Sequence, residues 1–284
     1  MLRNNEIIIS KQDLIELYVN QRKSTKEIAK IYNTTSKTIL RKLHKNNIEV
    51  RHSNIVNRKY YFNEKYFDSI DTQSKAYTLG LLCADGWIAK SSKSGNLNMI
   101  GFMFQDRDID LIDYLKEEFD AESSKTIQTV NSNAKGVTFC SVYMANKLKE
   151  LYGITDNKSL TLNIGGVCNC IRDELVPSFL LGYFDGDGGI YSALGSNRKT
   201  IQWSCGFTGT LSTCEFLKSY FKSGFIVDEK SKNRLTYTYK ISGRKKVVEA
   251  LERLYSIHNG FCLLRKKEKF LKAKSPTNSV MIGV

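Results

Sequence analysis

The sequence lacks the clustered histidines and cysteines that hold a zinc ion. Its three histidines, His44, His52 and His258, are scattered along the chain. Cys168 and Cys170 stand one residue apart, but no second pair follows at the spacing of zinc ligands. A zinc site is therefore not expected.

Long hydrophobic runs are also missing. The longest apolar stretches, such as Phe179–Phe184, are much shorter than the roughly 18 residues that a membrane span needs, and no secretory signal pattern is found. The seven cysteines are odd in number and lie mostly in hydrophobic segments, as reduced core thiols do. We expect an intracellular protein, in a bacterial or phage-infected cytoplasm or an organelle, that is neither secreted nor bound to a membrane.

Proline is rare, with two residues, whereas positive charge is abundant. The 284 residues include 43 Lys+Arg against 29 Asp+Glu, a formal net charge of +14. A hydrophobic content of 41% is enough for a packed core. Such a basic surplus is typical of proteins that bind polyanions, and it favours a nucleic-acid partner over solubility alone.

Residues 11–51 contain three short helical patterns, each with an apolar stripe. Ser24 and Glu27 form a capping box at the start of the second, and Thr35 or Ser36 caps the third. The residues predicted to face inward are Leu14, Ile15, Tyr18, Ile28, Ala29, Ile31, Ile39, Leu40 and Leu43. Those left outward on the third helix are Ser36, Lys37, Thr38, Arg41 and Lys42.

This polar and basic set is what a recognition helix offers to the DNA major groove. Residues 1–60 hold 13 Lys+Arg against 5 Asp+Glu, which is more than half of the net charge. We predict a small all-α helix-turn-helix DNA-binding domain over residues 1–55. The alternative is a three-helix interaction module with a solvated basic face.

Beyond residue 60 the chain runs through one plan twice. The Asp-Gly dipeptide at 85–86 recurs at 187–188, and "YLKEEF" recurs as "FLKSYF", both 102 residues later. "KLKELYG" recurs as "ALERLYS" 103 residues later. We infer an internal duplication in which each copy has the order helix, two strands, helix, two strands, helix.

The strand predictions rest on alternating apolar and polar residues. The inward residues are Leu235, Tyr237, Tyr239 and Ile241 in one strand and Ile201, Trp203 and Cys205 in another. The first copy repeats the pattern less clearly in residues 125–131 and 137–144. We expect the opposite face, rich in Thr, Gln, Lys and Arg, to bind a ligand of comparable length; a merely solvated face is the alternative.

Two predicted helices end in an aspartate. The first has Gly80 and Ala84 four residues apart, and the second has Gly182 and Gly186 at the same spacing. Small residues let two helix backbones approach closely, so we expect these helices to pack against each other with their final aspartates side by side. A helix that simply ends in a left-handed glycine is the structural alternative for each motif alone.

A carboxylate at the C-terminus of a helix is unfavourable, and two of them repel each other and attract a cation. Oxygen ligands without a nearby histidine or cysteine suit Mg²⁺, which takes one or two protein carboxylates and completes its shell with water and phosphate oxygens. The pair Asp85 and Asp187 therefore predicts a magnesium-assisted phosphodiester hydrolase.

With its motifs at Thr78–Gly86 and Leu180–Gly188, the sequence resembles the monomeric LAGLIDADG homing endonucleases that carry the motif twice. The similarity covers roughly residues 60–275. It implies an α+β fold of two pseudo-symmetric αββαββα subdomains, over residues 56–165 and 166–284, whose saddle-shaped sheets lie in the DNA major groove. It also implies a monomer that cuts both strands of a long asymmetric DNA site and leaves short 3′ overhangs.

The resemblance assigns the metal site. Asp85 and Asp187, with the adjoining Gly86 and Gly188, would hold two or three divalent ions beside the scissile phosphates. Mg²⁺ is the expected ion, and Mn²⁺ or Ca²⁺ would substitute for it in binding.

The resemblance also assigns catalytic residues, and the polar sheet faces and the third N-terminal helix supply the candidates for DNA contact. Gln105, with Thr210 as a looser counterpart, and Lys158 and Lys266 would order the attacking water and stabilise transition-state charge. Arg265 or Lys267 are alternatives to Lys266. The residues expected to contact DNA are Lys90, Asn96, Asn98, Gln128, Asn197, Arg198, Gln202, Arg234 and Lys240, together with Ser36, Lys37, Thr38 and Arg41 of the N-terminal domain.

Two positions depart from the family pattern. Thr78 replaces the leading leucine of the first motif, and Cys83 replaces its earlier acidic residue, which affects packing more than catalysis. Two other functions stay open on the same scaffold: a non-catalytic DNA-binding transcription regulator, and a maturase that binds intron RNA. A regulator would not need both acidic residues, whereas the sequence does not separate a maturase from an endonuclease.

Overall fold

Two compact units divide the chain, one over Met1–Tyr60 and one over Tyr61–Val284. The computed structural model describes residues 7–50, 60–90, 95, 97–121, 126–128, 133–194, 201–228 and 236–275. Each unit has a hydrophobic core of its own. In the described part of the chain, no helix combines the length and apolarity needed to cross a membrane.

The first unit is built from short helices. They are α1 (Lys11–Leu14), a π-helical continuation (Ile15–Asn20), α2 (Thr25–Ile31) and α3 (Ser36–Lys45).

The predicted helix caps in this unit are present. The Ser24 hydroxyl accepts from the Glu27 N–H at 3.2 Å, and the Glu27 carboxylate accepts from the Ser24 N–H at 2.7 Å. Thr35 caps α3 by accepting from the Thr38 N–H at 3.2 Å. The capping box and the third-helix cap are thereby confirmed.

Two residues predicted to face inward are exposed instead. Ile31, the last residue of α2, is 56% exposed, and Leu40 is 37% exposed. On α3 the buried stripe runs through Ile39 and Leu43, four residues apart, and Leu40 lies roughly 100° around the helix from Ile39. The prediction was wrong for these two residues because the buried stripe is narrower than the apolar pattern.

The second unit contains the predicted arrangement twice. The first copy consists of α4 (Gln73–Ala84), β1 (Gly86–Lys90), β2 (Leu97–Gln105), α5 (Asp110–Glu118), β3 (Ile127–Gln128), β4 (Ala134–Cys140) and α6 (Val142–Tyr152). Two short helices follow, α7 (Lys158–Thr161) and α8 (Ile164–Cys168). The second copy consists of α9 (Val176–Asp187), β5 (Gly188–Leu194), β6 (Ile201–Gly209), α10 (Leu211–Phe221), β7 (Phe225–Asp228), β8 (Tyr237–Ser242) and α11 (Arg244–Tyr255), with α12 (Leu264–Lys274) behind it. The predicted duplication of an αββαββα plan is confirmed.

Each copy forms one four-stranded antiparallel sheet. The strand orders are β1-β2-β4-β3 and β5-β6-β8-β7. Gly86 lies opposite Phe102 in the first sheet, and Gly188 lies opposite Phe207 in the second. The sheets therefore have matching registers, which identify equivalent positions in the two copies.

One face of each sheet is covered by helices, and the predicted alternation is present on it; Leu235, one of the residues predicted to face inward, lies outside the described residues. The residues buried beneath the helices are Ile88, Ile100, Phe102, Val137 and Phe139 in the first sheet and Ile190, Trp203, Cys205, Phe207, Tyr239 and Ile241 in the second. We call the opposite faces the first and second outer faces.

The strand predicted over residues 137–144 ends earlier than the pattern indicates. The strand stops at Cys140, and Val142 already belongs to α6. The Ser141 hydroxyl accepts from the Met144 N–H at 3.1 Å and so begins the helix. A helix cap, which the alternation of residue types does not encode, overrides the strand pattern here.

Candidate active site

The two motif helices, α4 and α9, touch backbone to backbone. A Cβ added at Gly80 would lie 1.9 Å from the Phe179 carbonyl oxygen, and one at Gly182 would lie 1.9 Å from the Tyr77 carbonyl oxygen. Because no side chain fits at either position, only glycine permits this contact. The close packing predicted from the small-residue spacing is confirmed.

Asp85 directly follows α4, and Asp187 is the last residue of α9. A Cβ added at Gly186 would lie 3.2 Å from the Asp85 carboxylate, so this carboxylate lies against the end of α9. Gly188 has an extended backbone with φ −108°, which rules out the left-handed glycine ending for the second motif.

Burial raises the pKa of both carboxyl groups. Repulsion from Asp187 adds to the effect at Asp85, whose pKa reaches about 6. The positive charges of Lys158 and Lys266 oppose the rise at both residues. A cation bound at this junction would relieve the repulsion and favour the charged forms.

Lys158, at the start of α7, is buried and caps the first motif helix. Its ammonium group donates to the carbonyl oxygens of Cys83 and Ala84 at 2.8 and 2.6 Å. These carbonyls belong to the last turn of α4, which carries the negative end of the helix dipole. Lys158 therefore stabilises the helix end that positions Asp85.

Lys266, on α12, is the equivalent cap for the second motif helix. Its ammonium group donates at 2.7 Å to the carbonyl oxygens of Phe184, Asp185 and Gly188. An ammonium group has three donors, so all those of Lys266 are used, whereas Lys158 keeps one. Burial lowers the pKa of both lysines, to about 8 for Lys266.

These contacts decide between the alternatives at this position. Arg265 instead makes a bidentate ion pair with Asp108, at 2.6 and 2.7 Å. Lys266, rather than Arg265 or Lys267, is thus the counterpart of Lys158. Its contacts describe a positioning residue; direct charge stabilisation at a phosphate stays a prediction.

Asp185, two residues before Asp187, is fully buried. Its Oδ2 accepts from the Tyr77 hydroxyl and from the Leu263 N–H, each at 2.8 Å. Burial raises the pKa of this carboxyl to about 6. In the other copy the equivalent residues are Cys83 and Phe179, so both the carboxylate and its hydroxyl partner are missing together.

A cavity of about 450 Å³ opens beside Asp187. The polar residues that line it are Lys158, Ser159, Tyr183, Asp187, Thr208, Thr210 and Thr236. A carboxylate and a lysine thus face the same open space at the end of strand β6.

The matched registers relate Gln105 to Thr210. Gln105 ends β2 three residues after Phe102, and Thr210 follows Phe207 by the same interval. Gln105 is exposed, whereas the Thr210 hydroxyl donates to the Leu162 carbonyl at 2.6 Å and caps α10. Gln105 is therefore free to bind a ligand, and Thr210 is held in the protein framework.

No protein-family model and no curated protein sequence matches the chain. Solved structures do match it. The meganuclease I-SmaMI bound to uncleaveable DNA superposes with a TM-score of 0.50 at 16% identity, over 70% of this chain and 90% of that chain. The I-LtrWI LAGLIDADG homing endonuclease bound to target DNA gives a TM-score of 0.50 at 12% identity, over 75% and 91%. The fold is that of the LAGLIDADG homing endonucleases.

Within this LAGLIDADG fold the residues of the sheets that are predicted to contact DNA differ in exposure and in their partners. Gln202 is exposed and Lys240 half-buried on the second outer face. Lys90 is exposed and pairs with Asp156 at 2.7 Å. Gln128 lies in the short strand β3, opposite Lys135. The candidates outside the described residues are Asn96, Asn197, Arg198 and Arg234.

Asn98 is misplaced by the sequence-based prediction. It shares its strand face with Ile100 and Phe102, which the helices cover, because side chains of a strand alternate between faces. Its side-chain oxygen is buried without a hydrogen-bond partner. Asn98 therefore does not lie on the first outer face.

In the first unit, Lys37 and Arg41 of α3 are exposed, and Ser36 and Thr38 are half-buried. The Thr38 hydroxyl lies 3.0 Å from the Thr35 hydroxyl. A basic pair is thus accessible on α3, as the prediction requires, while a DNA-binding role stays a prediction.

Sequence reasoning missed Tyr77, Asp108 and Tyr183 near the site. Tyr77 binds Asp185, Asp108 binds Arg265, and Tyr183 lines the cavity. Tyr77 could have been found, because the duplication places Phe179 and Cys83 where Tyr77 and Asp185 stand in the other copy. The Asp108–Arg265 pair spans 157 residues and has no local signal.

Proposed function

We propose that the protein is a site-specific endonuclease that hydrolyses both strands of a long, asymmetric double-stranded DNA site. The observation that carries the proposal is the pair Asp85 and Asp187, two partly buried carboxylates brought together by a backbone contact between duplicated helices. Two solved structures with this fold, I-SmaMI and I-LtrWI, contain DNA, which supports DNA as the substrate.

The carboxylate pair is unfavourable for the protein alone. Burial raises the pKa of both carboxyls, and repulsion from Asp187 raises that of Asp85 further, so the charged forms are disfavoured. Each also lies at the negative end of a helix. Paired carboxylates with raised pKa values are typical of functional sites, where they bind a cation or act on a substrate.

A divalent cation fits the donors at this junction. In the described ranges, no group of three His, Cys, Asp or Glu side chains could hold a metal ion, so Asp85 and Asp187 are the only carboxylates proposed as ligands. Two carboxylates at most are typical for Mg²⁺. The Gly86 and Gly188 carbonyls were the other predicted ligands, but the Gly188 carbonyl already accepts from Lys266.

When bound, the metal would activate water and offset charge on the phosphate oxygens. The residues of the chain would position the carboxylates and the attacking water. Lys158 and Lys266 hold the two helix ends and so fix the separation of the carboxylates. Gln105, which is exposed at the end of β2, orients water beside one strand of the duplex.

The first unit would bind DNA that flanks the cleaved site. Its exposed Lys37 and Arg41 and its excess of positive charge support this role. Because one chain carries both acidic motifs, we propose a monomer as the active form. The seven free cysteines support a reducing intracellular environment.

The test is cleavage of a randomised duplex library by purified protein in Mg²⁺. We expect one long site to be cut on both strands. Asp187→Asn should bind that site while cutting it at least about 100-fold more slowly. Asp173→Asn, at an exposed aspartate in the short 3-10 helix (Asp173–Leu175) before α9, is the matched control and should cut normally.

Other outcomes of the same assay point elsewhere. Binding of a specific duplex without cutting by the unchanged protein would indicate a regulator. Absence of DNA binding, together with binding of intron RNA, would indicate a maturase.

A further inference from the structure

The two outer faces carry different chemistry at equivalent positions. Matching registers align the first outer face with the second along the central strands β2 and β6. Met99 is equivalent to Ser204, Gly101 to Gly206 and Met103 to Thr208. Glycine is kept in the middle of both strands, and thioethers replace hydroxyls on either side of it.

The neighbouring strands extend the contrast. Cys140 pairs with Met99, whereas Ser242 pairs with Ser204. Thr138 stands where the second face has Lys240. Along the two central strands of each sheet, the first outer face is therefore poorer in hydrogen-bonding groups than the second.

Large apolar side chains cover the glycines of the first outer face. A Cβ added at Gly101 would lie 2.3 Å from the Trp87 ring, so the indole lies directly over this glycine. A Cβ added at Gly136 would lie 3.0 Å from the Met103 sulfur. Trp87, Met99 and Met103 are all half-buried and keep part of their surface open.

This face is continuous with the candidate active site. Strand β1 begins at Gly86, directly after Asp85, and β2 ends at Gln105. The second outer face carries Lys240 at the position equivalent to Thr138, and the chain as a whole is strongly basic. These features favour a single polyanion that contacts both outer faces. A separate protein partner on the first outer face is the less favoured alternative.

In the major groove of DNA, the thymine methyl is the large apolar group on a base edge. The thioethers of Met99 and Met103 and the carbon face of the Trp87 indole can contact this methyl group. The thioethers have no donor for guanine and only a weak acceptor for cytosine, and the indole Nε1–H is the one strong donor among these three side chains. We propose that the first outer face recognises thymine methyl groups, so that the half-site beneath it is rich in T·A pairs, while the second outer face reads its half-site by hydrogen bonds. This inference rests on the proposed endonuclease function.

Deoxyuridine provides the test, because it removes the methyl group and keeps base pairing. The full chain is titrated, in Ca²⁺, against its selected site with thymine replaced by deoxyuridine in one half or the other. Each lost methyl contact should weaken binding about fourfold in the half under the first face. The same replacement in the other half should change affinity by less than about twofold for the whole half.

Two reciprocal variants identify which half belongs to which face. Met103→Thr and Thr208→Met exchange the residues of equivalent positions, and circular dichroism checks that both fold. Met103→Thr should abolish the sensitivity to deoxyuridine at one position of the sensitive half. Thr208→Met should leave that sensitivity unchanged.

Several results would overturn the inference alone. These are normal cleavage with no deoxyuridine effect in either half, a sensitive half that responds to Thr208→Met instead, or a site without T·A pairs in the half assigned to the first face. Self-association that Met103→Thr removes, with no deoxyuridine effect, would make the face a protein interface. If no duplex is bound at all, the proposed function itself fails.

Discussion

At the scale of single residues, the internal duplication acts as a natural comparison of two environments. Tyr77 and Asp185 form a buried hydrogen bond in one copy, and Phe179 and Cys83 occupy the same positions in the other. Burial raises the pKa of the Cys83 thiol to about 12, so it stays neutral. At these equivalent positions the buried carboxylate occurs only in the copy where a hydroxyl and the Leu263 N–H donate to it.

This pairing predicts strong coupling between the two residues. Tyr77→Phe should cost about 1–3 kcal/mol of unfolding free energy, because it removes a donor from a buried carboxylate. In the background of Asp185→Cys the same change should cost much less. A double-mutant cycle by urea denaturation measures the coupling, expected at about 1–3 kcal/mol; additive effects would contradict it.

His258 gives a pH-dependent contribution to stability. Its Nε2–H donates to the Phe261 carbonyl at 2.7 Å, its Nδ1 lies 3.0 Å from the Ser178 hydroxyl, and its ring stacks on Tyr77. Burial is the main reason that the pKa of His258 is lowered, and the nearby charge of Lys267 adds to it. The folded protein therefore holds the neutral imidazole.

The sign of the pH effect follows from this. Below the ordinary pKa of 6.5 the unfolded chain binds a proton that the folded protein resists. Stability from His258 should be complete above that pH and should decline as the pH falls below it. The difference in unfolding free energy between the unchanged protein and His258→Gln, followed from pH 7 downward in thermal or urea melts, should shrink; a constant difference would refute the assignment.

At the scale of elements, the glycine contact between α4 and α9 sets the geometry of the candidate site. Gly80→Ala and Gly182→Ala would each drive a methyl group into a backbone carbonyl of the facing helix. We expect each to cost about 3 kcal/mol or more and to reduce cleavage by separating the aspartates. Gly166→Ala in α8, where the added Cβ meets nothing closer than 3.7 Å, is the control and should be neutral or slightly stabilising. Melting temperatures and cleavage rates of the three variants test this prediction, and equal values for all three would contradict it.

The same elements show what sequence can predict. The motif helices, their contact and the duplicated order followed from spacing, because small residues and offsets are local signals. The lysine caps were found only through a family resemblance, and the sequence could not choose among Arg265, Lys266 and Lys267. That choice depends on which side chain reaches the end of α9, a tertiary contact across about 80 residues. The predicted outward position of Asn98 was wrong, because strand alternation places Asn98 on the same face as the buried Ile100 and Phe102.

At the scale of the whole molecule, the chain combines two units with separate cores. The first unit carries more than half of the net charge, and its exposed Lys37 and Arg41 are candidates for phosphate contacts. The double variant Lys37→Ala and Arg41→Ala should weaken binding on every sequence alike. It should also lower the slope of log affinity against log salt by up to about 1.8, since each phosphate contact contributes about 0.9.

Glu16→Ala together with Glu49→Ala, two carboxylates of the same unit, is the matched control for this experiment. It should not lower the slope. Fluorescence anisotropy over a salt series measures all three proteins, and an unchanged slope in the basic double variant would exclude phosphate contacts by these residues.

The contact between Gly80 and Gly182 has a consequence for how the protein is made. Every residue of α4 from Ala76 to Ala84 is buried in the finished fold, yet the helix that covers its glycine face lies 102 residues further along the chain. At the usual pace of translation this delay is roughly 5–20 s. During that interval the nascent first copy presents an uncovered apolar helix to solvent, so the yield of folded protein should depend on chaperones and on the speed of the ribosome.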